Sequence, residues 1–337
     1  MLDNETKTSH APLRAMALAL GVVLTVGACS GGDDAEAGGS AEGLGTVRVA
    51  MVCGGMTPLA TMIAIDAETF PDGMEVEKVC FDAGSEAVQA LIGGSVDVFM
   101  GSTEHILSTQ AKGLSMMGYA GINNRAPYAL VTAADSDVDS VEDLAGTTVA
   151  VTSPGSLSDT ELHVAVDDAG VPYDGLSVIG GGSGASMAAA INSGQVSAGM
   201  ISEPQVSELV ASGDYRLVWK PDFEYAAIVA VADPEWVSSN EETMRAFLSG
   251  VSDAADQAAG DSSFAVEAMK AEKFPVSDES LTSAVEAGVQ DIPEGLVVTE
   301  QVYTDTTDVL VGVGVLDQAD VGSYDDVFDF SYLPEGK

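Results

Sequence analysis

SEAVQALIGGSVDVFMGSTE, residues 85–104, carries the alternation from which the fold can be read. Val88, Leu91 and Ile92 fall at i, i+3 and i+4 and give Ser85 to Ile92 the apolar face of a helix, which Gly93-Gly94 stops. Val96 to Gly101 follows as a short apolar run of strand length, and the small hydroxyl residues of Gly101-Ser102-Thr103-Glu104 are suited to cap another helix. Upstream, Thr46 to Cys53 and Met74 to Phe81 are strand-like runs separated by a helical pattern at Pro58 to Phe70. Together these segments make a βαβαβ unit. The same order recurs downstream: strand Thr147 to Thr152, a helix with Leu162, Ala165, Val166 and Ala169 on one face, then strand Leu176 to Ile179. A glycine-rich turn at Gly180 to Gly184 leads to a helix facing inward through Met187, Ala190 and Ile191, a stop at Gly194 and a strand at Val196 to Ile201.

The chain then returns through Tyr225 to Ala232 into a helical C-terminal third, whose stripe of Met244, Phe247, Leu248 and Val251 is expected to cover the first lobe. These patterns predict an α/β chain of two lobes, residues 46–126 with 229–337 and residues 127–228. Crossings are expected near Asn124 to Leu130 and Phe223 to Val229. A ligand cleft would lie between the lobes, beyond the carboxyl ends of the strands.

Ahead of the first strand, Ala15 to Ala28 is apolar, follows Arg14, and is shorter than the roughly 20 residues a membrane-spanning helix needs. It reads as the core of a signal peptide over residues 1–28, closing on Val26-Gly27-Ala28-Cys29. Small residues there admit a peptidase, and Cys29 supplies the thiol that takes a lipid. Asp3 and Glu5 offset Lys7 and Arg14 in this leader, and a buried helix opening a cytosolic domain is the competing reading. Residues 29–45 are small and acidic, a flexible tether spanning on the order of 20 Å. The expected location is the extracytoplasmic face of the cell membrane, with the lipid as the only membrane contact.

With 53 acidic against 12 basic residues the formal charge is -41, and the chain cannot assemble the basic patch that nucleic acid or anionic lipid would require. A hydrophobic content of 46% excludes wholesale disorder. The acid excess reads as a solvated surface suited to a saline habitat rather than as a binding device. Cys53 and Cys80 end consecutive strand-like runs and can meet at one sheet edge. A disulfide there is permitted outside the cell and would contribute roughly 3 to 4 kcal/mol, the alternative being two unpaired buried thiols.

Catalysis has little to stand on. Of three histidines, His10 lies in the leader, and neither His105 nor His163 sits in a nucleophile or metal motif. His163 is mid-helix and expected at the surface; His105 follows Glu104 at a strand end and is either structural or in touch with the cleft. Gly180 to Gly184 lacks the spacing of a dinucleotide or phosphate-binding loop. Met51, Met56, Met100 and Met200 read as core filling rather than as a soft-metal site. The expectation is a monomeric binder, not an enzyme, with no cofactor and no metal.

The residues that remain for function are helix starts rich in small hydroxyl residues: Thr57-Pro58, Ser102-Thr103, Ser153-Pro154-Gly155-Ser156 and Ser183-Gly184. Helix N-termini carry unpaired N–H groups and a partial positive charge, a ready site for a carboxylate, sulfonate, phosphate or nitrate. Any one such turn is explained by N-capping; four at successive strand ends point to a ligand. Surface carboxylates beyond the Debye length of about 8 Å are screened, so local donors decide whether an anion binds. Arg125, at the first crossing, faces either a ligand anion or a hinge carboxylate, and Glu203 faces either a ligand amine or the hinge.

Taken in combination, AVQALIGGSVDV (87–98), VEDLAG (141–146), Pro154-Gly155-Ser156, and AAINSGQV (189–196) leading to Glu203-Pro204 resemble the substrate-binding proteins of sulfonate, nitrate and taurine ABC importers. That class includes binders of thiamine pyrimidine precursors, and the resemblance runs from Thr46 to Leu248. It implies the type II periplasmic-binding-protein fold, with ligand contacts after the first strand, at Gly101-Ser102-Thr103, at Ser153 to Ser156 and at Gly182-Ser183. It also implies a small-molecule ligand, a sulfonate, nitrate, taurine or related small anion or pyrimidine, delivered to an ABC permease in the membrane. Where some relatives carry aromatic or charged residues after the first strand, this chain has Cys53-Gly54-Gly55-Met56. Pyrimidine-synthase relatives of the same fold consume an active-site histidine and use pyridoxal phosphate and iron, but their cysteine-rich motif is absent here. A sensory binding protein would share every feature of the transport receptor.

Overall fold

The computed structural model describes residues 43–335. The expected signal peptide, the lipid site Cys29 and nearly all of the tether lie outside the described residues. Leu44 and Gly45, read as the end of the tether, are already part of the body: the Leu44 carbonyl accepts from Thr243 Oγ1 at 2.9 Å, and Gly45 pairs with Met74.

The first half of the body comprises β1 (Gly45–Val52), α1 (Leu59–Asp66), β2 (Met74–Phe81), α2 (Gly84–Ile92), β3 (Val98–Gly101), α3 (Thr103–Gln110) and β4 (Met117–Arg125). The second comprises β5 (Tyr128–Ala133), β6 (Thr148–Val151), α4 (Leu157–Asp168), β7 (Ser177–Gly180), α5 (Ala185–Asn192), β8 (Ala198–Ser202), α6 (Gln205–Ser212) and β9 (Tyr215–Trp219). Next, β10 (Glu224–Ala232) leads to α7 (Pro234–Ser239), α8 (Glu241–Gly260), α9 (Ser262–Met269), α10 (Asp278–Val289), α11 (Glu300–Gly312) and α12 (Tyr324–Val327).

Two five-stranded sheets result, ordered β2-β1-β3-β10-β4 and β7-β6-β8-β5-β9. In each, a parallel triplet continues into a strand that runs antiparallel, β10 in the first sheet and β5 in the second. The chain crosses between sheets at Ala126-Pro127 and again at residues 220–223. Residues 224–228, grouped with the second lobe on sequence, pair with β4 in the first sheet, Glu224 opposite Arg125 and Ile228 opposite Asn123. The central strands β3 and β8 are buried along their whole length, whereas edge strand β2 alternates and turns Glu75 and Glu77 to solvent, which blunts the edge.

The repeated signature has a local cause. At the ends of α2 and α5 the chain turns through Gly94 and Gly194, both at φ 69°, a left-handed conformation that glycine adopts without cost. One residue on, Ser95 N–H reaches Ala90 O and Gln195 N–H reaches Ala190 O, so both helices close identically before the next parallel strand. Asp97 in the first copy is nearly buried and held in a fork by Arg48 of β1, Nε to Oδ2 at 2.9 Å and Nη2 to Oδ1 at 2.6 Å. Its Oδ2 also accepts the Arg48 backbone N–H at 2.8 Å. Hydrogen bonds to a charged partner contribute roughly 1.5 to 3 kcal/mol, and Arg48 is partly exposed. Asp97→Ala is therefore expected to cost about 2 kcal/mol in urea unfolding, and a loss under about 0.5 kcal/mol, the ordinary surface range, would rule out this anchoring role.

The C-terminal stripe does what its spacing requires. Met244, Phe247, Leu248 and Val251 of α8 are fully buried against α1 and the first sheet. Phe247 stacks on Phe70 at 5.7 Å, and Gly250 allows the close approach, since a Cβ there would lie 2.3 Å from the Phe70 ring.

Candidate functional site

The carboxyl ends of β1, β2, β3 and β6 face the boundary between the two sheets, and each is followed by a helix of eight residues or more. Their N-termini converge on one small cavity of about 20 Å³. Thr57 precedes α1, Gly84 opens α2, Ser102 caps α3, and Ser156 with Leu157 begins α4. Phe99, His105, Tyr128 and Thr152 complete the polar and aromatic lining. No lysine or arginine lines it, so any anion held there would depend on backbone N–H groups, hydroxyls and helix dipoles.

His105 holds a buried donor without a partner at this place. Its Nδ1 accepts the Ser102 backbone N–H at 3.3 Å and lies 2.5 Å from Ser102 Oγ, which puts the ring proton on Nε2. Nε2 is buried and has no protein partner, and it faces the backbone of Gly84, where a Cβ would lie 3.4 Å away. Burial, with a smaller push from Lys112, lowers His105 to about 4, so the ring stays neutral at physiological pH. His163, expected at the surface, is half-buried and stacks on Tyr173 with ring centres 3.5 Å apart.

Across the cleft the two lobes touch through small residues. Met56 N–H donates to Glu203 O at 2.9 Å, Ser183 Oγ donates to Cys53 O, and Ser156 Oγ accepts the Ser85 N–H at 3.1 Å. Cys53 and Cys80 are joined in a disulfide, their Cα atoms 5.3 Å apart. This ties the loop Gly54-Gly55-Met56 to the end of β2.

The structure sorts the sequence-read residues. Thr57, Gly101, Ser102 and Ser156 line the cavity. Thr103 is buried beside them, but its hydroxyl is committed to Ala226 O at 2.8 Å. Gly155 is exposed and donates its N–H to Asp159 Oδ2 at 2.8 Å, and Ser153 caps the same turn through its carbonyl. Gly182 N–H is spent on Thr152 O within the second lobe, and Ser183 spans the lobe boundary rather than lining the cavity. Met56 and Glu203 line a separate space of about 100 Å³ with Lys220 and Asp291, and Pro58 is buried at the N-cap position of α1.

Arg125 takes the second of its two readings. Its guanidinium is exposed and pairs with Asp222 at 3.0 Å and Asp291 at 3.5 Å, and it does not line the cavity. The start of α2 was not among the turns that the sequence marked for a ligand. Gly84-Ser85 after the strand ending at Phe81 has the same small-residue signal as the other turns. Among the described residues no three His, Cys, Asp or Glu side chains are grouped to hold a metal ion, and no helix is long and apolar enough to cross a membrane.

Known proteins of the same architecture set this site in context. A structure from Bordetella bronchiseptica is 27% identical and superposes with a TM-score of 0.74 over 85% of this chain and 95% of its own. The alkanesulfonate-binding protein SsuA of Xanthomonas axonopodis pv. citri, solved with MOPS, is 19% identical with a TM-score of 0.66 over 84% and 98% of the two chains. The nitrate-binding protein NrtA of Synechocystis is 16% identical with a TM-score of 0.65 over 83% of each. No curated protein gives a match. The architecture is thus the two-lobed periplasmic-binding-protein fold that the sequence resemblance implies. The family model described as NMT1/THI5 like matches residues 71–263, more than half of the sequence and both sheets, and the chain belongs to the NMT1/THI5-like family.

Proposed function

We propose that the chain is an extracytoplasmic solute receptor of an ABC importer, lipid-anchored at Cys29, that closes on a small solute and delivers it to a membrane permease without turnover. The solute class is a sulfonate, nitrate, taurine or related small anion or pyrimidine. The observation that supports this most is the convergence of four helix N-termini on one cavity at the lobe boundary that no lysine or arginine lines. Each helix end favours an anion by roughly 0.3 to 1 kcal/mol, and charge-assisted hydrogen bonds add roughly 1.5 to 3 kcal/mol each. The neutral His105 Nε2–H adds a donor that a ligand oxygen or ring nitrogen would satisfy. Arg125, Glu203 and Lys220 lie outside this cavity and serve the hinge in this reading.

A thermal-shift screen of the mature chain against alkanesulfonates, taurine, nitrate, aromatic carboxylates and pyrimidine precursors tests the reading. At 100 times Kd a bound solute stabilises by about 2.7 kcal/mol, which for a body of this size raises Tm by roughly 5 to 10 °C. A shift with one class and not the others is the expected result. Stability unmoved by every class would remove the support for these solutes.

A further inference from the structure

Behind the cavity, two buried carboxyls face each other from opposite lobes. Glu104 stands in the first turn of α3 and Glu161 in α4, and they are 6% and 2% exposed. Glu104 Oε2 accepts from the Tyr225 hydroxyl at 2.6 Å, and its Oε1 accepts from Thr160 Oγ1 of the other lobe at 3.2 Å. Glu161 Oε2 accepts the Tyr128 backbone N–H at 2.8 Å, and its Oε1 is buried with no partner.

The groups facing this pair supply no cation. From β5 comes Tyr128, from β10 Tyr225, and from α3 Ser102 and the neutral His105. From α4 come Thr160 and Asp159, the latter occupied by the Tyr173 hydroxyl and Gly155 N–H, with His163 stacked on the Tyr173 ring. Lys112, two residues past the end of α3, lines the open space that Glu104 also borders and makes no ion pair with either carboxyl. Two ionised carboxylates in such surroundings are costly, whereas a protonated one gains an O–H donor for its neighbours. Burial raises Glu104, opposed by its hydrogen bonds, and burial with the nearby Glu104 charge raises Glu161 well above the carboxylate range.

We propose that cleft closure takes up protons at the Glu104–Glu161 pair, so that solute capture tightens as pH falls. The inference rests on the receptor reading, since it requires lobes that open and close. Parting the lobes breaks the Thr160–Glu104 hydrogen bond and admits water, which returns both carboxyls toward ordinary acidity. On closing, a carboxylate oxygen accepts a proton from solvent, and no other bond is made or broken. The pKa is higher in the closed form than in the open form, so the closed form binds more protons. Its advantage is complete below the ordinary carboxylate range and is lost as pH rises, by up to tenfold per pH unit for each proton taken up, until the raised value is passed.

Small-angle scattering of the full mature chain at about pH 5 and about pH 8, both above the ordinary Glu value, reads the open-to-closed ratio. Wild type is expected to be more compact at the lower pH, with the ratio changed at least about tenfold. The double variant Glu104→Gln, Glu161→Gln should be equally compact at both. The raised carboxyls elsewhere, Asp66 and Asp291, remain in that variant, so a response arising from them would persist. A pH-independent wild type, or a double variant that keeps the wild-type response, overturns the proposal. Infrared difference spectra guard against a variant that does not fold: wild type near neutral pH should show a protonated-carboxyl stretch that single Glu104→Gln or Glu161→Gln diminishes, and its absence from wild type also overturns the idea. The solutes of the thermal-shift panel separate the two failures. If one compacts the chain equally at both pH values, the proton link alone is wrong; if none compacts it at either, the reading as a receptor for these solutes is wrong.

Discussion

Replacing Gly184 with alanine should hold the lobes apart and weaken solute capture by at least about 100-fold, equivalent to about 2.7 kcal/mol. A Cβ at this position would lie 2.5 Å from the Gly54 carbonyl oxygen and 3.2 Å from its carbon, both backbone atoms of the opposite lobe. No rotamer change relieves such a contact, so the closed form must yield while each lobe keeps its own packing. Gly184 also has φ 51° and ψ -117°, a backbone region open to glycine and strained for any residue with a side chain. Gly182→Ala supplies the control, because Gly182 also has a positive φ, 70°, but would meet only Ser186 of its own lobe. Titration calorimetry with the solute found by thermal shift compares the two variants, and scattering reports whether Gly184→Ala stays open. Equal affinities would show that the Gly54–Gly184 approach is not needed for capture.

Loss of the Cys53–Cys80 disulfide should lower stability by about 3.5 kcal/mol in the chain-entropy account of a 27-residue separation. For a body of this size that is a fall in Tm of roughly 10 °C. The consequence for binding is separate. Cys53 precedes the loop that touches the second lobe, and its carbonyl accepts the Ser183 hydroxyl. Freed from β2, that loop loses the anchor that presents Gly54, Gly55 and the Met56 N–H to the other lobe, so affinity should fall along with stability. Calorimetry of the Cys53→Ser, Cys80→Ser variant measures the first effect, and its indifference to reductant shows that the bridge was removed. Unfolding within about 1 kcal/mol of wild type would mean that the bridge does not constrain the unfolded chain as this account requires.

The predicted effects act on one movement. Gly184 governs how closely the lobes approach, the disulfide holds one rim in place, and the buried carboxyls link the approach to proton activity. Asp97, by contrast, lies in the most recognisable stretch of sequence and binds nothing but its own lobe, through Arg48. What recurs after the second helix stop is the left-handed glycine, Gly194, and not the aspartate, whose place is taken by Ser197.

Local order was readable because it depends on neighbours in sequence. Alternation placed β2 at Met74 to Phe81 without error, and the i, i+3, i+4 spacing of Val88, Leu91 and Ile92 placed α2 within one residue. Strands β4, β5 and β9 escaped. Tyr128 to Val131 is buried on both faces and shows no alternation, and the Asn-Asn-Arg-Ala-Pro stretch before it reads as a connection although β4 runs through to Arg125.

The site divides in the same way. Small residues at helix starts marked Thr57, Gly101, Ser102 and Ser156, all of which line the cavity, because a helix start is a local event. Which of those starts converge was decided by sheet order, which brought in α2 and left α5 to touch Gly54 instead. That Arg125 pairs with carboxylates was decided by Asp222 and Asp291, 97 and 166 positions along the chain. The sequence by itself therefore determined the elements, their stops and the small-residue turns, which rest on period and backbone conformation over a few residues. Only the tertiary structure decided which donors stay unspent and which carboxyls lose their water, because desolvation and hydrogen-bond partnership depend on side chains that come together from distant parts of the chain.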